Sequence, residues 1–356
     1  MKGGAEKRVY EIARRLVDRG HEIHWFGLKW WEGKNDIVRE GVYLHGVGKW
    51  DNLYVDGRRS IKEGLYFGMK TLTGLKGDFD VIDCQEFPYF SCFSSKIHSL
   101  LKSKLVITWH EVWADYWYEY LGWKGGFGKF IENLIAKLTD NNIAVSEKTR
   151  RDLEAINNKR AEVIPNGIEF KRIQNIREHN EKTDVIFVGR LIKEKNVNVL
   201  IKSIKLLKYE MTDIKCLIIG DGPERRKLEK SVLDLDLGEN IEFLGFLENH
   251  DDVISHIKTS KVFVLPSMRE GFGIVALEAN ACGLPVVTLI HDRNAAKDLV
   301  ENGINGFICR LSEKEITKNI ILALNKNMNE KCIENARRYD WSLIIDKYEG
   351  FIEEIA

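Results

Sequence analysis

The sequence predicts an α/β protein built from two doubly wound domains, each a parallel sheet with helices on both faces. Strand-like and helix-like segments alternate along the chain, a polar stretch at 171–183 interrupts the alternation, and a continuous apolar strand at 185–188 restarts it. The length of 356 residues exceeds one ordinary domain and suits two.

The first domain is expected over residues 1–170. It opens on an amphipathic helix at 5–20, where apolar residues recur at helical spacing and Gly20 suits a C-terminal stop. Because strands then alternate with helices, they are expected to pair in parallel. The expected strands are 22–28, 42–47, 80–84, 105–110, 142–146 and 162–164, and the expected helices are 59–73, 88–102, 126–140 and 147–157.

The second domain is expected over 184–340, after a linker at 171–183. A last amphipathic segment, 341–356, is expected to form a helix that returns to the first domain. Further strands are expected at 216–219, 241–244, 262–265 and 286–289, with helices at 197–209, 224–235, 273–282, 294–301 and 312–325.

Composition excludes several classes of function. Lys+Arg and Asp+Glu both number 54, so a formal net charge of zero argues against bulk electrostatic binding of nucleic acid. No apolar run approaches the ~20 residues that span a bilayer, and residues 1–6 lack the apolar core of a signal peptide. The six cysteines are scattered without a C-x-x-C pair, so neither a zinc site nor a disulfide framework is indicated, and a reducing cytoplasm is the default expectation.

The most informative segment runs from Pro266 to Ala279. A buried strand ends at Pro266, and a glycine-bracketed loop then opens a helix near Gly273, whose free N–H groups would form an anion site. Glu270 lies in that loop and Glu278 follows within the helix. Carboxylates beside a phosphate site suit sugar or ribose hydroxyls. The alternative, that both are solvated surface acids, is about equally favoured by spacing alone.

A second loop, 189–196, follows the first strand of the second domain, where a phosphate-binding loop belongs. Its Arg190 and Lys195 could contact a pyrophosphate, Arg through its planar fork and Lys as a point charge. Taken alone, this segment would be interpreted as a solvated basic loop.

Together these segments resemble the nucleotide-sugar-dependent glycosyltransferases of the GT-B fold, specifically the retaining family 4. The resemblance covers nearly the whole chain, and the spaced glutamates of Glu-Gly-Phe-Gly…Glu are its most specific item. The matching segments are 3–6 with 19–22, 145–147, 164–168, 188–190 with 195–196, 219–223, 243–245 and 270–278.

The resemblance implies roles for individual residues. Arg190 and Lys195 would hold the donor diphosphate, Glu278 the ribose hydroxyls and Glu270 the transferred sugar, while His110 would lie near that sugar. The alternative for His110 is a structural histidine. The implied catalytic residues are His110, Glu270, Arg190 and Lys195; the implied donor-binding residues are Gly3, Gly4, Gly189, Arg190, Lys195, Gly245, Phe246, Leu247, Glu270, Gly271, Phe272, Gly273, Ile274, Val275 and Glu278.

The implied chemistry is transfer with retention of anomeric configuration, in which the leaving phosphate helps deprotonate the acceptor hydroxyl. No cofactor is expected besides the UDP- or GDP-linked donor substrate. Asp78-Phe79-Asp80 matches the Asp-x-Asp metal motif of another glycosyltransferase fold, but it precedes its strand, so we expect no metal site there. The alternatives are a catalytically silent nucleotide-sugar-binding subunit and a GT-B epimerase or phosphorylase.

The acceptor is expected to be a glycan or a polyprenyl-linked glycan. Seven Trp and Tyr residues lie within 109–123, and aromatic faces stack on sugars, so Trp113 and Trp117 are the candidate acceptor-binding residues; ordinary packing is nearly as well supported. The basic residues of the first helix would permit peripheral contact with the inner membrane face, although a solvated helix face suits them better.

The sequence departs from the family at its start. In the family, Gly-Gly-Ala-Glu follows the first strand of the first domain, whereas here only Met1 and Lys2 precede it. The first strand of the N-terminal domain is therefore expected to be missing from the chain, with the true start upstream of Met1.

Overall fold

The computed structural model describes residues 4–50, 54–55, 58–100 and 102–356. The chain divides into two compact units, one formed by 1–165 with 344–356 and the other by 166–343. Both units are α/β, and the alternation predicted from the sequence is present in each. None of the helices in these residues is long and apolar enough to cross a membrane.

The strands of the first unit vary more in length than those of the second. Its elements are α1 (Gly4–Asp18), β1 (His24–Leu28), β2 (Asp36–Arg39), β3 (Val42–Gly48), β4 (Tyr54–Val55), β5 (Arg58–Arg59), α2 (Ile61–Gly74), β6 (Val81–Gln85), α3 (Phe90–Ser99), β7 (Lys104–Trp109), α4 (Tyr116–Leu121), a 3-10 turn (Gly122–Lys124), α5 (Gly125–Ile135), β8 (Asn141–Ala144), α6 (Glu147–Asn157) and β9 (Glu162–Val163).

These strands form a parallel sheet in the order β6-β7-β8-β9 and a separate sheet in the order β1-β3-β2. Two antiparallel pairs were not expected from the sequence: β2 with β3, and β4 with β5 in a sheet of their own. Strands β2 and β3 are joined at Glu40 and Gly41, both with positive φ, which is the geometry of a tight hairpin.

A buried polar network ties the first helix and the last helix segment into this unit. Arg8 is only 1% exposed, and its guanidinium donates to the carbonyl oxygens of Ile164 at 2.9 Å and Pro165 at 2.6 Å. Asp83 of β6 accepts from Tyr348 Oη at 2.7 Å. Burial lowers the pKa of Arg8 to about 10, partly offset by the Asp83 carboxyl group. This arginine is therefore a core residue rather than part of a solvated helix face.

The second unit has a regular parallel sheet. Its elements are α7 (Phe170–Asn175), β10 (Val185–Val188), a 3-10 turn (Lys193–Lys195), α8 (Val197–Lys208), β11 (Cys216–Ile219), α9 (Arg225–Asp234), β12 (Ile241–Gly245), α10 (His250–Lys258), β13 (Val262–Leu265), α11 (Ile274–Ala281), β14 (Val286–Leu289), a 3-10 turn (Ala295–Leu299), β15 (Gly306–Cys309), α12 (Glu313–Leu324), α13 (Asn329–Arg337) and the start of α14 (Trp341–Ile355).

The sheet order in the second unit is β12-β11-β10-β13-β14-β15, with every neighbour parallel. The inner strands are continuous apolar runs, and both β11 and β13 are buried at every position. This is the pattern of strands covered on both faces.

The segment 171–183, predicted to be a linker, lies within the second unit. Helix α7 covers its start, and Ile173 packs in the core at 3% exposure. The segment is also hydrogen-bonded to α10, because Lys258 Nζ donates to the carbonyl oxygens of Gln174 at 2.8 Å and Ile176 at 2.6 Å. One buried isoleucine and hydrogen bonds from Lys258 hold the segment against the rest of the unit. Its composition alone did not indicate this packing.

Two helical glycines of the first unit give a matched test of core packing. A Cβ on Gly128 in α5 would lie 2.4 Å from Cε3 of Trp117, whereas a Cβ on Gly350 in α14 would meet nothing within 4 Å. We expect Gly128→Ala to lower the free energy of unfolding by roughly 1–3 kcal/mol through overpacking. Gly350→Ala should raise it by roughly 0.5–1 kcal/mol through helix propensity.

Chemical denaturation of both variants measures these effects. Both substitutions replace a helical glycine by alanine, so helix propensity alone predicts that both raise the free energy of unfolding. Equal stabilisation by both variants would show that the α5 helix can move away from the Trp117 ring.

Candidate active site

The second unit has a topological switch point between β10 and β13. From β10 the chain moves first to β11 and β12 on one side, and then crosses to β13 on the other. Ligands of open parallel sheets bind beyond the carboxyl ends of the strands at such a point. The loops that follow β10 and β13 are the two loops selected from the sequence, 189–196 and 266–273.

Backbone and side-chain contacts join these two loops. Met268 N donates to Glu194 O at 3.0 Å, and Asn196 Nδ2 donates to Pro266 O at 3.0 Å. The Lys195 ammonium and the Glu270 carboxylate form an ion pair in which both side chains are largely buried, at 16% and 13% exposure. The structure thus places Lys195 and Glu270 side by side.

Glu270 is also held from a third loop. Its N–H donates to Arg293 O at 3.0 Å, and its carbonyl accepts from Ala295 N at 2.9 Å. Asn294, which lies between them in sequence, is fully buried, and its amide donates to Leu289 O at 2.8 Å. The loop after β14 therefore fixes the backbone of the glutamate, and the sequence analysis did not select it.

Gly273 allows helix α11 to begin beside this loop. It has φ of +97°, and a Cβ there would lie 2.6 Å from Cβ of Ala296. Ile274 and Val275 are the first residues of α11, so their N–H groups belong to the unpaired first turn of the helix. Partial positive charge at this end of the helix favours an anion. Phe272, by contrast, is 6% exposed and its ring packs near that of Tyr339, so it anchors the loop to the interior of the unit.

The segment Gly-Asp-Gly-Pro, weak as a motif, has a physical role in shaping the first loop. A Cβ on Gly220 would lie 1.9 Å from Gly189 O, and one on Gly222 would lie 2.3 Å from Leu191 O. Leu191 N donates to Asp221 O at 2.9 Å. Two backbone segments touch directly here, and the exposed Arg190 projects from the loop that they form.

Glu278 lies deep in α11 and is 2% exposed. Its Oε1 is 2.8 Å from Nε2 of His250, the first residue of α10. The loop that leads to His250 contains Gly245, with φ of +76°, and Phe246, which is 64% exposed, followed by Leu247. The buried carboxylate and the exposed ring follow the ends of β13 and β12, at the same edge of the sheet. His250 is a further residue of this site that the motifs did not indicate.

The first unit contains His110 at the carboxyl end of β7. Its Nε2 lies 2.8 Å from Oε1 of Gln85, the last residue of β6. Burial lowers the pKa of His110 to about 3, with a further lowering effect from Arg8. The imidazole is therefore neutral at physiological pH, with its proton on Nε2 toward the amide oxygen and Nδ1 as an acceptor.

Glu86 is a second buried group at this edge of the sheet, and sequence reasoning missed it. It is 3% exposed, and its Oε2 has no hydrogen-bond partner among the described residues. Burial raises its pKa well above the ordinary value, against the opposing effect of the His110 backbone amide. A carboxylate two positions after the predicted strand 80–84 was the available signal.

The aromatic segment divides into packing residues and one candidate for contact. Trp109 is fully buried and Trp117 is 7% exposed, so both belong to the core. Trp113 is partly exposed, and its ring centroid lies 4.6 Å from that of Trp117. The buried carboxylate of Glu132 accepts from the backbone N–H groups of Trp113 and Ala114, both at 2.8 Å, and so fixes this turn. Trp117, the other residue predicted to bind the acceptor, is thus buried in the core and packs against Trp113.

The remaining sequence-based candidates lie elsewhere. Gly4 begins α1, and Gly3 lies outside the described residues. Gly271 is partly exposed in the loop before Gly273. Asp78 and Asp80 are exposed and precede β6, at the opposite end of that strand from Gln85 and Glu86.

Two family models match adjoining parts of the chain. Glycosyltransferase Family 4 matches residues 2–172, and Glycosyl transferases group 1 matches residues 169–339. The chain belongs to glycosyltransferase family 4. It is an enzyme of the nucleotide-sugar glycosyltransferase class, and the two α/β units have the GT-B fold.

Individual proteins are similar to this transferase over its full length. An uncharacterized glycosyltransferase of Methanocaldococcus jannaschii is 28% identical, over 99% of this chain and 95% of its own. Sucrose-phosphate synthase from Thermosynechococcus elongatus has a TM-score of 0.82 at 17% identity, over 99% of this chain and 94% of its own. Anabaena HepE, solved with UDP and glucose, has a TM-score of 0.74 at 19% identity, over 99% and 96%.

The buried state of His110 predicts a pH dependence of the transferase's stability. The folded protein keeps the imidazole neutral down to about pH 3, whereas in the unfolded chain it binds a proton below its ordinary pKa of 6.5. Stability is therefore lost as the pH falls through 6.5, by on the order of 2 kcal/mol from this residue between about pH 7 and about pH 5. His110→Gln should remove that part of the loss.

Chemical denaturation of wild type and His110→Gln at both pH values measures the difference. Other buried carboxyl groups titrate in both proteins, so only the difference between them reports on His110. Identical losses in the two proteins would contradict a neutral, buried imidazole.

Proposed function

We propose that this transferase moves a sugar from a UDP- or GDP-linked donor to a hydroxyl of a glycan or polyprenyl-linked glycan, with retention of anomeric configuration and without a metal ion. The observation that carries the proposal is the Lys195–Glu270 ion pair at the switch point, with Arg190 in the same loop as Lys195 and the first turn of α11 following the loop of Glu270. Cationic groups and a helix N-terminus suit a diphosphate, and a carboxylate beside them suits sugar hydroxyls.

Each side chain has a role in this proposal. Arg190 and Lys195 bind the diphosphate and stabilise the charge that develops on it as the glycosidic bond breaks. Glu270 binds hydroxyls of the transferred sugar, and Glu278 binds the ribose hydroxyls. The backbone of Gly189, Gly273, Ile274 and Val275 completes the phosphate site, with Gly245, Phe246 and Leu247 against the base.

His110 would act by hydrogen bonding rather than by proton transfer. A pKa of about 3 makes the imidazolium unavailable near neutral pH, so the histidine is a poor general base for the acceptor hydroxyl. This supports a reaction in which the leaving phosphate takes that proton. HepE, which has the same fold, was solved with UDP and glucose. A UDP-sugar is therefore the first donor to be tested.

A transfer assay with labelled UDP- and GDP-sugars and glycan or polyprenyl-linked acceptors tests the proposal. The proton coupling constant at the new anomeric centre distinguishes retention from inversion, and a chelator distinguishes metal-independent from metal-dependent transfer. Inverted product, or activity that disappears with the chelator and returns with a divalent cation, would refute the corresponding part of the proposal.

Lys195→Met tests the role of the lysine. Removing a charge that acts on the developing diphosphate should lower kcat by roughly 10²–10³-fold and weaken binding of UDP or GDP. The control is Lys202→Met on α8, whose ammonium lies 3.0 Å from Glu313 and is half exposed. Steady-state kinetics and calorimetric titration with the nucleotide compare the two; an unchanged kcat in Lys195→Met would exclude the lysine from catalysis.

Trp113 and Trp117 are expected to differ when replaced. Trp113→Ala should raise the acceptor KM by roughly tenfold while leaving the donor KM close to wild type, because a partly exposed ring suits stacking on a sugar. Because this ring also packs against Trp117, the variant should lose some folding stability, but less than Trp117→Ala. Trp117→Ala should lower the free energy of unfolding by roughly 3–5 kcal/mol, because its ring is buried. Kinetics and denaturation of both variants decide this, and an acceptor KM unchanged by Trp113→Ala would remove it from the acceptor site.

A further inference from the structure

Helix α2 exposes the apolar stripe that a surface helix would normally bury. Ile61, Leu65, Met69 and Leu72 follow one another at spacings of four, four and three residues, so they share one helix face. They are 54%, 43%, 67% and 41% exposed, respectively. The buried side of α2 instead carries small residues such as Gly64 and Gly68. A helix with this arrangement has an outward apolar face that marks an interaction surface.

Helix α3 extends the same surface. Ser94 Oγ donates to Gly68 O at 2.7 Å, and His98 Nε2 lies 2.9 Å from Leu72 O, so the two helices are in direct contact. At the end of α3, Ile97 is 53% exposed and Leu100 is 69% exposed. The two helices therefore lie side by side, and both carry exposed apolar side chains.

The charge on this layer is of one sign. Segments 60–77 and 89–104 contain six lysines and a single acidic residue, Glu63, which is 1% exposed. Five of the lysines are exposed and Lys96 is partly exposed. Asp78 and Asp80 lie beyond the end of α2. None of the six ammonium groups forms an ion pair with a carboxylate in the described part of the chain. The lysines are Lys62, Lys70, Lys76, Lys96, Lys102 and Lys104.

Helix α5 and the 3-10 turn before it, Gly122–Lys124, repeat the pattern with aromatic residues. Trp123, Phe127, Phe130 and Leu134, at spacings of four, three and four, are 84%, 64%, 56% and 38% exposed. Lys124 and Lys137 flank them, and so does Lys129, whose ammonium is paired with the exposed carboxylate of Asp115. Glu132, the one acidic residue of 121–139, is fully buried. Right-handed crossovers from β6 to β7 and from β7 to β8 place α3 and α5 on the same face of their sheet.

We propose that this surface, formed by the exposed residues of α2, α3 and α5 and called here the lysine-rich face, docks on an anionic lipid bilayer. Apolar and aromatic side chains would enter the headgroup region, and the lysines would meet lipid phosphates. The lysine ammonium groups suit the aqueous side of a membrane interface, and tryptophan rings suit the level of the headgroups.

A second copy of this chain is a less suitable occupant of the lysine-rich face. A two-fold interface brings the same patch of both subunits together, so the lysines of one copy would lie against those of the other. No acidic side chains are exposed on α2, α3 or α5 to offset that repulsion. A bilayer rich in anionic headgroups provides the complementary charge.

The first helix, which the sequence favoured only weakly for membrane contact, is less suitable in the structure. Arg8 is buried, and the guanidinium groups of Arg14 and Arg15 are both paired with the Glu11 carboxylate. Arg19 is paired with Asp346 and Glu349. These cations are already neutralised within the first unit.

Vesicle co-sedimentation of the full chain tests the docking. Wild type should sediment with vesicles of phosphatidylglycerol and phosphatidylcholine, should not sediment with phosphatidylcholine alone, and should be released by salt. The triple variant Lys62→Glu, Met69→Gln and Lys70→Glu should lower the partition coefficient by roughly tenfold or more.

A matched control exists on α9 of the other unit. Lys227→Glu, Lys230→Glu and Leu233→Gln replace two exposed lysines and an apolar residue that is 74% exposed. This variant should bind vesicles like wild type. Circular dichroism confirms that both triple variants are folded. Absence of wild-type binding to anionic vesicles, or equal binding by the two triple variants, would overturn the proposal.

Trp123 provides a second measurement that does not need a charge reversal. Brominated lipids should quench part of the tryptophan fluorescence of wild type, and Trp123→Phe should abolish most of that quenching. Quenching that persists in Trp123→Phe would show that another surface enters the membrane. A wild-type dimer that the α2 triple variant converts to a monomer in analytical ultracentrifugation would identify a second copy as the occupant instead. Both readouts are independent of sugar transfer, so this docking and the proposed reaction can fail separately.

Discussion

Parallel strand pairing is the constraint on which the candidate site residues of each unit depend. When neighbouring strands run in the same direction, the loops that follow them emerge at one edge of the sheet, however far apart they are in sequence. In the second unit this brings the loop after β10 beside the loop after β13, and Lys195 meets Glu270 across 75 positions. In the first unit the same rule places Gln85 at the end of β6 beside His110 at the end of β7. The side chains supply chemistry, but their proximity comes from the direction of the strands.

Close backbone contact then shapes the loops after β10 and β13 in the second unit. Gly220 and Gly222 occupy positions where one main chain lies against another, so that even a methyl group would collide with the carbonyl oxygen of Gly189 or Leu191. Gly273 plays a corresponding part at the start of α11, where it combines a left-handed conformation with contact against Ala296. These glycines leave Arg190 and the first N–H groups of α11 at the surface of the loop cluster, which is where an anionic ligand would need them.

Burial changes the pKa of several ionisable groups of the enzyme. In the first unit, burial makes His110 a neutral hydrogen-bonding group and raises the pKa of Glu86, whereas Arg8 and Asp83 stabilise one another within the core. In the second unit, Lys195 and Glu270 neutralise each other. The lysine-rich face shows the opposite arrangement, with lysines at the surface and the acidic residues of α2 and α5, Glu63 and Glu132, buried. The Lys195–Glu270 pair is enclosed by loops, whereas the exposed lysines are spread over helices.

The sequence by itself determined the alternation of strands and helices, the order of the motifs, and thereby the family and the residues around Glu270 and Arg190. These follow from local periodicity and spacing, which need no partner elsewhere in the chain. Only the tertiary structure decided that 171–183 packs on the second unit, that β2 forms an antiparallel hairpin with β3, and that Trp117 and Arg8 are buried. It also identified His250, Glu86 and the loop around Asn294, and revealed that the apolar faces of α2 and α5 point outward. Burial is set by what distant segments cover, so an amphipathic pattern cannot state which of its faces meets the core.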